Sequence, residues 1–200
     1  MEKLTKGQRT RKRILDTAIE LFATNGFEAT SFREIGDECD MSQQGVMGHF
    51  KTKDELFFGV VDRIKEETYY LVEKFKDPKD NAFELLLKHH KVQLELVSKH
   101  PTFMQMFILM YYYSSFKPHV QKFYGEIAKY ARSQYEAYLH AGIRENAFEF
   151  SCTVEEMAEL LHDGMQSNMI HLLIDKKRGA KKHSAKKWEE FVRQLTNYQS

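Results

Sequence analysis

Apolar positions recur with a helical period along most of the chain, and no segment alternates with the two-residue period of a strand. Ile14, Leu15, Ala18, Leu21 and Phe22 fall at i, i+1, i+4, i+7 and i+8, one face of a first helix. Gly26 stops that helix, and Phe27 is placed to fold back on its last turn. Ser31 and Glu34 have capping-box spacing, so a second helix starts at Phe32 with Ile35 and Cys39 on its inner face. Asp40 falls at a tight turn, where a residue tolerant of left-handed backbone is needed. Ser42 caps a third helix, with Val46 and Phe50 inward and Gln43 and Gln44 outward in its first turn.

A long fourth helix follows over 53–76, with Thr52 and Glu55 spaced as a capping box. Its apolar face is Leu56, Phe57, Val60, Val61, Ile64, Leu71, Val72 and Phe75. Further helices are predicted over 82–99 (Asn81 and Glu84 as cap pair), 102–114 and 118–142, the last with Pro118 in its first turn. Two more complete the chain: 154–175 behind Thr153 and Glu156, and 185–198 capped by Ser184. Proline occurs only at positions 78, 101 and 118, each at a helix boundary. The expected fold is all-α with about nine helices. An N-terminal arm and helix-turn-helix occupy 1–52, and a larger helical domain occupies 53–200.

Composition changes this picture little. The formal charge is only +1 over 200 residues, so bulk electrostatics do not announce a nucleic-acid partner. The distribution says more. Lys3, Lys6, Arg9, Arg11, Lys12 and Arg13 precede the first apolar face against Glu2 alone, which reads as a flexible basic arm for phosphate or the minor groove. Cys39 and Cys152 are the only cysteines and have neither metal-ligand nor disulfide spacing, which fits a reducing cytoplasm. No signal peptide or membrane-length apolar run is read, so the expected location is cytoplasmic, without a membrane partner.

Residues 30–50 have the layout of a helix-turn-helix, in which the start of the second helix reads base edges in the major groove. An ordinary αα-hairpin shares that outline. The flanks are more specific. Arg11, Ile14-Leu15, Ala18, Leu21-Phe22, Gly26-Phe27, Thr30-Ser31 and Ile35 are followed by Met41-Ser42, His49-Phe50, Lys53 and Leu56. Together they resemble the N-terminal domain of the TetR (tetracycline repressor) family over about residues 9–60. The departures are Cys39-Asp40 in place of Ala-Gly at the turn, Gln44 where Gly is frequent, and Met47 where a phosphate-contacting Tyr is usual. Gly45 and Gly48 also fall within the expected recognition helix, each costing about 1 kcal/mol against Ala in a helix interior.

The resemblance implies a non-enzymatic, ligand-responsive transcriptional repressor that binds palindromic double-stranded operators as a homodimer. Gln43 and Gln44, behind the cap Ser42, are the base-reading candidates, since Gln pairs bidentately with adenine. Ser31, Arg33, His49 and Lys53 form the phosphate side; Ser31, His49 and Lys53 stand at matching family positions.

The family's effector pocket lies among its middle helices. Phe103, Met106, Phe107, Met110 and Tyr111 lie on a helix apolar nearly all round, which should be buried in its domain centre. With Phe123 and Tyr124 they could line a pocket for a small apolar or aromatic effector, or be plain core. His162, Gln166 and His171 would supply polar contacts. No other cofactor and no metal is expected.

For self-association the family uses its last two helices. Trp188, Phe191, Val192 and Leu195 make a stripe, with Leu161, Gly164 and Met165 on the preceding helix. Pairing within one chain would produce the same pattern. Lys176, Lys177, Arg178, Lys181, Lys182, Lys186 and Lys187 read as a solvated basic loop. Two other functions fit parts of the pattern: a TetR-like fold acting through protein contacts, and a helical enzyme. The second has little behind it. His89 and His90 are the only adjacent histidines, point about 100° apart on a helix, and belong to no catalytic motif.

Overall fold

Nine α-helices and no strands make up the described residues, 4–175, 177 and 179–198, of the computed structural model. Of the basic residues noted above, Lys3, Lys176 and Arg178 lie outside them. The order is α1 (Lys6–Asn25), α2 (Phe32–Glu38), α3 (Gln43–Met47), α4 (Lys53–Phe75), α5 (Ala82–Lys99), α6 (Pro101–Ser114), α7 (Pro118–Arg144), α8 (Val154–Ile174) and α9 (Ala180–Thr196). None of them is long and apolar enough to cross a membrane.

Local capping explains most of these boundaries. Ser31–Glu34, Asn81–Glu84 and Thr153–Glu156 form reciprocal capping boxes that satisfy orphan N–H groups at the starts of α2, α5 and α8. At α4 only half of the expected box forms. Thr52 accepts from the Glu55 N–H, but the Glu55 carboxylate accepts from Lys51 N–H instead.

Three expectations about the ends are corrected. A Thr5–Gln8 capping box starts α1 at Lys6, so Lys6, Arg9, Arg11, Lys12 and Arg13 are helical rather than a flexible arm. α9 begins at Ala180 behind left-handed Gly179 (φ 91°), and Ser184 is a buried residue inside it, not its cap. α3 ends at Met47, although Val46 and Phe50 are both fully buried as expected.

The chain has two principal apolar clusters. The first joins α1, α2, α3 and the first half of α4 to α6 and α7 through Met106, Met110, Tyr113, Val120 and Ile127. The second lies among α5, α7, α8 and α9 and includes Leu94, Tyr135, Leu161, Met165, Trp188 and Val192. The N-terminal helices therefore share one core with the helices beyond residue 52. α6 is not buried on every side: Met104, Met106, Met110 and Tyr113 face inward, while Ile108, Tyr111 and Tyr112 are exposed. Phe75, assigned above to the apolar face of α4, is also exposed at the end of that helix.

Candidate functional site

α2 and α3 meet at a turn whose backbone leaves little latitude. Asp40 adopts the left-handed region (φ 48°), as the turn was expected to require. Cys39 and Met41 donate their N–H groups to the Gly36 carbonyl at 3.0 and 2.9 Å. A Cβ on Gly36 would stand 2.7 Å from the Met41 carbonyl oxygen, so no larger residue fits this crossing. Sequence periodicity did not single out Gly36, because its constraint comes from chain packed against it across the turn.

Two arginines of α1 tie this unit down. Arg13 donates to the Cys39 carbonyl at 2.6 Å, and Arg11 donates to the His49 carbonyl at 2.9 Å while lying 4.0 Å over the Phe50 ring. Both ends of the α3 region are thereby held against α1. Ser42 accepts from the Gly45 N–H at 3.1 Å and is a cap as well as an exposed residue. Gln43 and Gln44 are exposed beside it on the first turn of α3. Ser31 and Arg33 are exposed at the start of α2, and Arg33 has only a long 3.9 Å pair with Asp37. His49 is half-buried.

Lys53 occupies a different environment. Its ammonium donates to the Glu28 carbonyl at 2.9 Å and lies 4.6 Å over the Phe27 ring. Burial, the largest influence on its pKa, lowers it from the ordinary lysine value. Lys53 thus braces the α1–α2 connection. Lys53→Met should lower stability by about 1 kcal/mol, one lost hydrogen bond, and leave the salt dependence of DNA binding unchanged. Urea denaturation and a salt titration check both halves; a flatter salt slope would return Lys53 to the phosphate contacts.

The same brace reaches the larger helical part. Tyr113 at the end of α6 donates to the Glu28 carboxylate, and its ring meets Phe27 and Phe57 edge-on. Burial first, then Glu28, raises the pKa of this phenol. Lys117 lies 4.4 Å over the Tyr113 ring. From the start of α7, His119 approaches Asp54 of α4 at 2.7 Å. A rigid contact chain therefore runs from the α6–α7 turn into the base of the helix-turn-helix.

A cleft of about 700 Å³ opens between α4, α5, α6, α7 and α8. Phe103, Phe107, Met110, Tyr111, Tyr124, His162 and Gln166 line it, as does His171. Met106 and Phe123 do not. Met106 points into the first core, and Phe123 packs on Phe58 at 4.4 Å. On α6 the reason is geometric, since its faces divide among core, cleft and solvent. Residues missed beforehand include His89, Gln93, Tyr69 and Tyr130. His89 and Gln93 were legible as an i, i+4 pair on one helix face.

The terminal stripe is divided as well. Trp188, Val192, Leu161 and Met165 are buried within the single chain and cannot be outward-facing anchors for a second copy. Gly164 does admit a close neighbour, but that neighbour is Phe191 of the same chain, whose ring would stand 2.6 Å from a Cβ there. Leu195 is half-buried against the same core. What remains outward is a groove between α8 and α9, bordered by Ser167, His171, Ile174, Lys187, Glu190 and Gln194 and lined also by Gly164, Phe191 and Trp188. Among the described residues, no group of three or more His, Cys, Asp or Glu is arranged to hold a metal ion.

Residues 14–60 match the family model for bacterial regulatory proteins of the tetR family. Over 95 residues the chain is 28% identical to YuxN of Bacillus subtilis, an uncharacterized HTH-type transcriptional regulator, covering 48% of this chain and 33% of that protein. Over 74 residues it is 32% identical to the HTH-type transcriptional regulator UidR of Escherichia coli K12, covering 37% of this chain and 36% of that one. The matches therefore span about a third of these relatives' own length. The whole fold is shared more widely. A transcriptional regulator from Saccharomonospora viridis, in complex with choline, superposes with TM-score 0.81 at 18% identity, covering 92% of this chain and 95% of that one. A TetR transcriptional regulator from Chloroflexus aurantiacus superposes with TM-score 0.79 at 16% identity, covering 96% and 98%.

Proposed function

We infer that this chain, a member of the TetR family of bacterial regulatory proteins, controls transcription by placing α3 in the major groove of double-stranded DNA. The observation that carries this reading is the pairing of exposed Gln43 and Gln44 with a turn held rigid by Gly36, Arg11 and Arg13. Gln43 and Gln44 read base edges; Ser31, Arg33, Ser42 and His49 face the phosphates and fix register. A palindromic operator and a homodimer go together in this reading, two readers meeting successive major grooves. The outward groove between α8 and α9, which Phe191 and Trp188 help to line, is where the second copy docks.

The cleft takes a small-molecule effector, and occupancy represses or releases DNA binding through two routes. α4 carries Ile64, Lys65, Thr68 and Tyr69 in the cleft and Lys53 and Asp54 at the reader. α6 carries Phe103, Phe107 and Tyr111 in the cleft and Tyr113 on Glu28. An effector acts only through a difference in affinity between two arrangements of these helices, about 1.4 kcal/mol for each tenfold change in DNA binding. The choline complex of the Saccharomonospora viridis regulator supports the use of such a fold for small molecules.

Gln44→Ala should cost about 1–3 kcal/mol of discrimination between operator and random DNA and leave non-specific binding nearly intact. Competition binding with a selected genomic site and a scrambled one reads this directly. An equal fall on both sequences would remove Gln44 from base reading. The short α3, only Gln43–Met47, favours one other reading, a TetR-like fold that acts through protein contacts. An absence of binding to either DNA at low salt would support it.

A further inference from the structure

The floor of the cleft carries two matched polar pairs, His162–Gln166, expected from the sequence as polar contacts, and His89–Gln93, which was not. On α5, Gln93 Nε2 lies 3.3 Å from His89 Nε2, and His89 Nδ1 lies 3.2 Å from the Tyr138 hydroxyl. On α8, Gln166 Nε2 lies 2.9 Å from His162 Nε2, and His162 Nδ1 lies 3.3 Å from an Asp163 carboxylate oxygen. All four residues of the two pairs line the cleft, and both histidines are buried. In each pair the glutamine amide donates to the imidazole, whose other nitrogen carries the proton toward Tyr138 or Asp163. The glutamine carbonyl oxygens have no hydrogen-bond partner among the described residues, and each amide keeps a second N–H.

Charge around the floor is balanced. The ionised groups lining the cleft are Lys65, Arg132, Glu159 and Asp163, two of each sign. Lys65 is paired with Asp62 at 2.7 Å, and Arg132 approaches Glu159 at 4.0 Å. Burial is the main cause that keeps His89 and His162 neutral, and Lys76 and His162 further disfavour charge on His89. The aromatic side chains Tyr69, Tyr111 and Tyr130 lie at the mouth, where they are exposed. An aromatic mouth alone would admit a cation. The floor, where a head group would be desolvated, offers amide donors and acceptors, and Asp163, whose partner is the neutral His162, keeps its carboxylate 69% exposed rather than buried there.

We propose that the effector is an uncharged molecule with a long apolar body and an oxygen function, such as an alcohol, ester or ketone, which hydrogen-bonds to Gln93 and Gln166. This rests on the cleft being the effector site. Its aliphatic body lies along Ile64, Val72, Leu96, Phe103, Phe107 and Met110, and its oxygen group meets the glutamines between α5 and α8. A carboxylate or an ammonium desolvated on the floor would need a buried counter-charge, whereas Lys65, Arg132, Glu159 and Asp163 are each at least a third exposed.

The test compares four ten-carbon probes on the full chain by thermal shift and calorimetry: decan-1-ol, methyl decanoate, sodium decanoate and decyltrimethylammonium. Each is also scored for release of a selected DNA site. Decanol and methyl decanoate should bind at least tenfold tighter than either charged probe. Gln93→Leu and Gln166→Leu should each weaken them about tenfold while leaving ligand-free DNA binding unchanged. Tighter binding of decanoate or of the ammonium would overturn the proposed class while leaving the cleft as effector site. Unchanged neutral-probe affinity in both variants would overturn the role of the glutamines. Binding by none of the four, in samples that still bind DNA, would overturn the proposal and the effector site together without touching the DNA-binding reading.

Discussion

Trp188→Ala should lose about 3–5 kcal/mol of stability, a large part of the 5–15 kcal/mol typical of a folded protein. Trp188 is among the largest fully buried side chains, and its ring stacks on His90 at 4.4 Å and meets Phe191 at 5.6 Å. Truncation leaves a cavity between α5, α8 and α9 and strips His90 of its stacking partner. Ile174→Asp is the informative contrast. Ile174 is 72% exposed, so its change should leave stability within about 0.5 kcal/mol yet halve the sedimenting mass if the outer face of α8 meets a second copy. Urea unfolding and sedimentation of both variants separate the roles. A Trp188→Ala protein that is monomeric but fully stable would put the tryptophan at an interface after all.

Acid should destabilise the protein well before its carboxylates titrate. Burial holds His89 at about 4 and His90 at about 3, and lowers His162, against an ordinary value of 6.5. The sign follows from proton uptake. Above pH 6.5 the imidazoles are neutral in both folded and unfolded chains, so stability is undiminished. Below pH 6.5 the unfolded chain takes up protons that the folded chain refuses, and stability falls until His89 and His90 titrate in the folded state at about 4 and about 3. Each such histidine contributes at most about 1.4 kcal/mol per pH unit. The urea midpoint should therefore drop steadily from pH 6.5 to pH 5, and His90→Gln should flatten that slope. A midpoint constant across that interval would mean that the histidines charge freely in the folded state.

Features set by neighbours in sequence were legible beforehand, and features set by neighbours in space were not. The capping boxes at Ser31, Asn81 and Thr153 are contacts over three residues, so residue type and spacing were enough. Asp40 was readable for the same reason. The start of α9 was not, because Gly179 offers no capping side chain, whereas Ser184 looks like a cap wherever it stands. Arg11 and Arg13 resemble solvated charges until the fold brings the His49 and Cys39 carbonyls to them. Periodicity identified Trp188 and Val192 as an apolar face, but it cannot say whether the facing helix belongs to the same chain. On α6 nearly every position is apolar, so no period marked which of Met106, Met110 and Tyr111 faced core or cleft. His162 and Gln166 stand out as polar groups on the right helix, while His89 reads from sequence only as the neighbour of His90, and its partner Gln93, one turn on, goes unmarked.

Sequence-specific DNA binding by the α2–α3 unit is the property on which the rest of the proposed function depends. Its most direct test is a titration of the wild-type protein against a genomically selected fragment and a scrambled fragment across a range of salt. Log K should fall linearly with log salt on both, by about 0.9 for each phosphate contacted, with the selected site bound at least 10³-fold more tightly. Equal affinity for the two fragments, or no measurable binding at low salt, would contradict it.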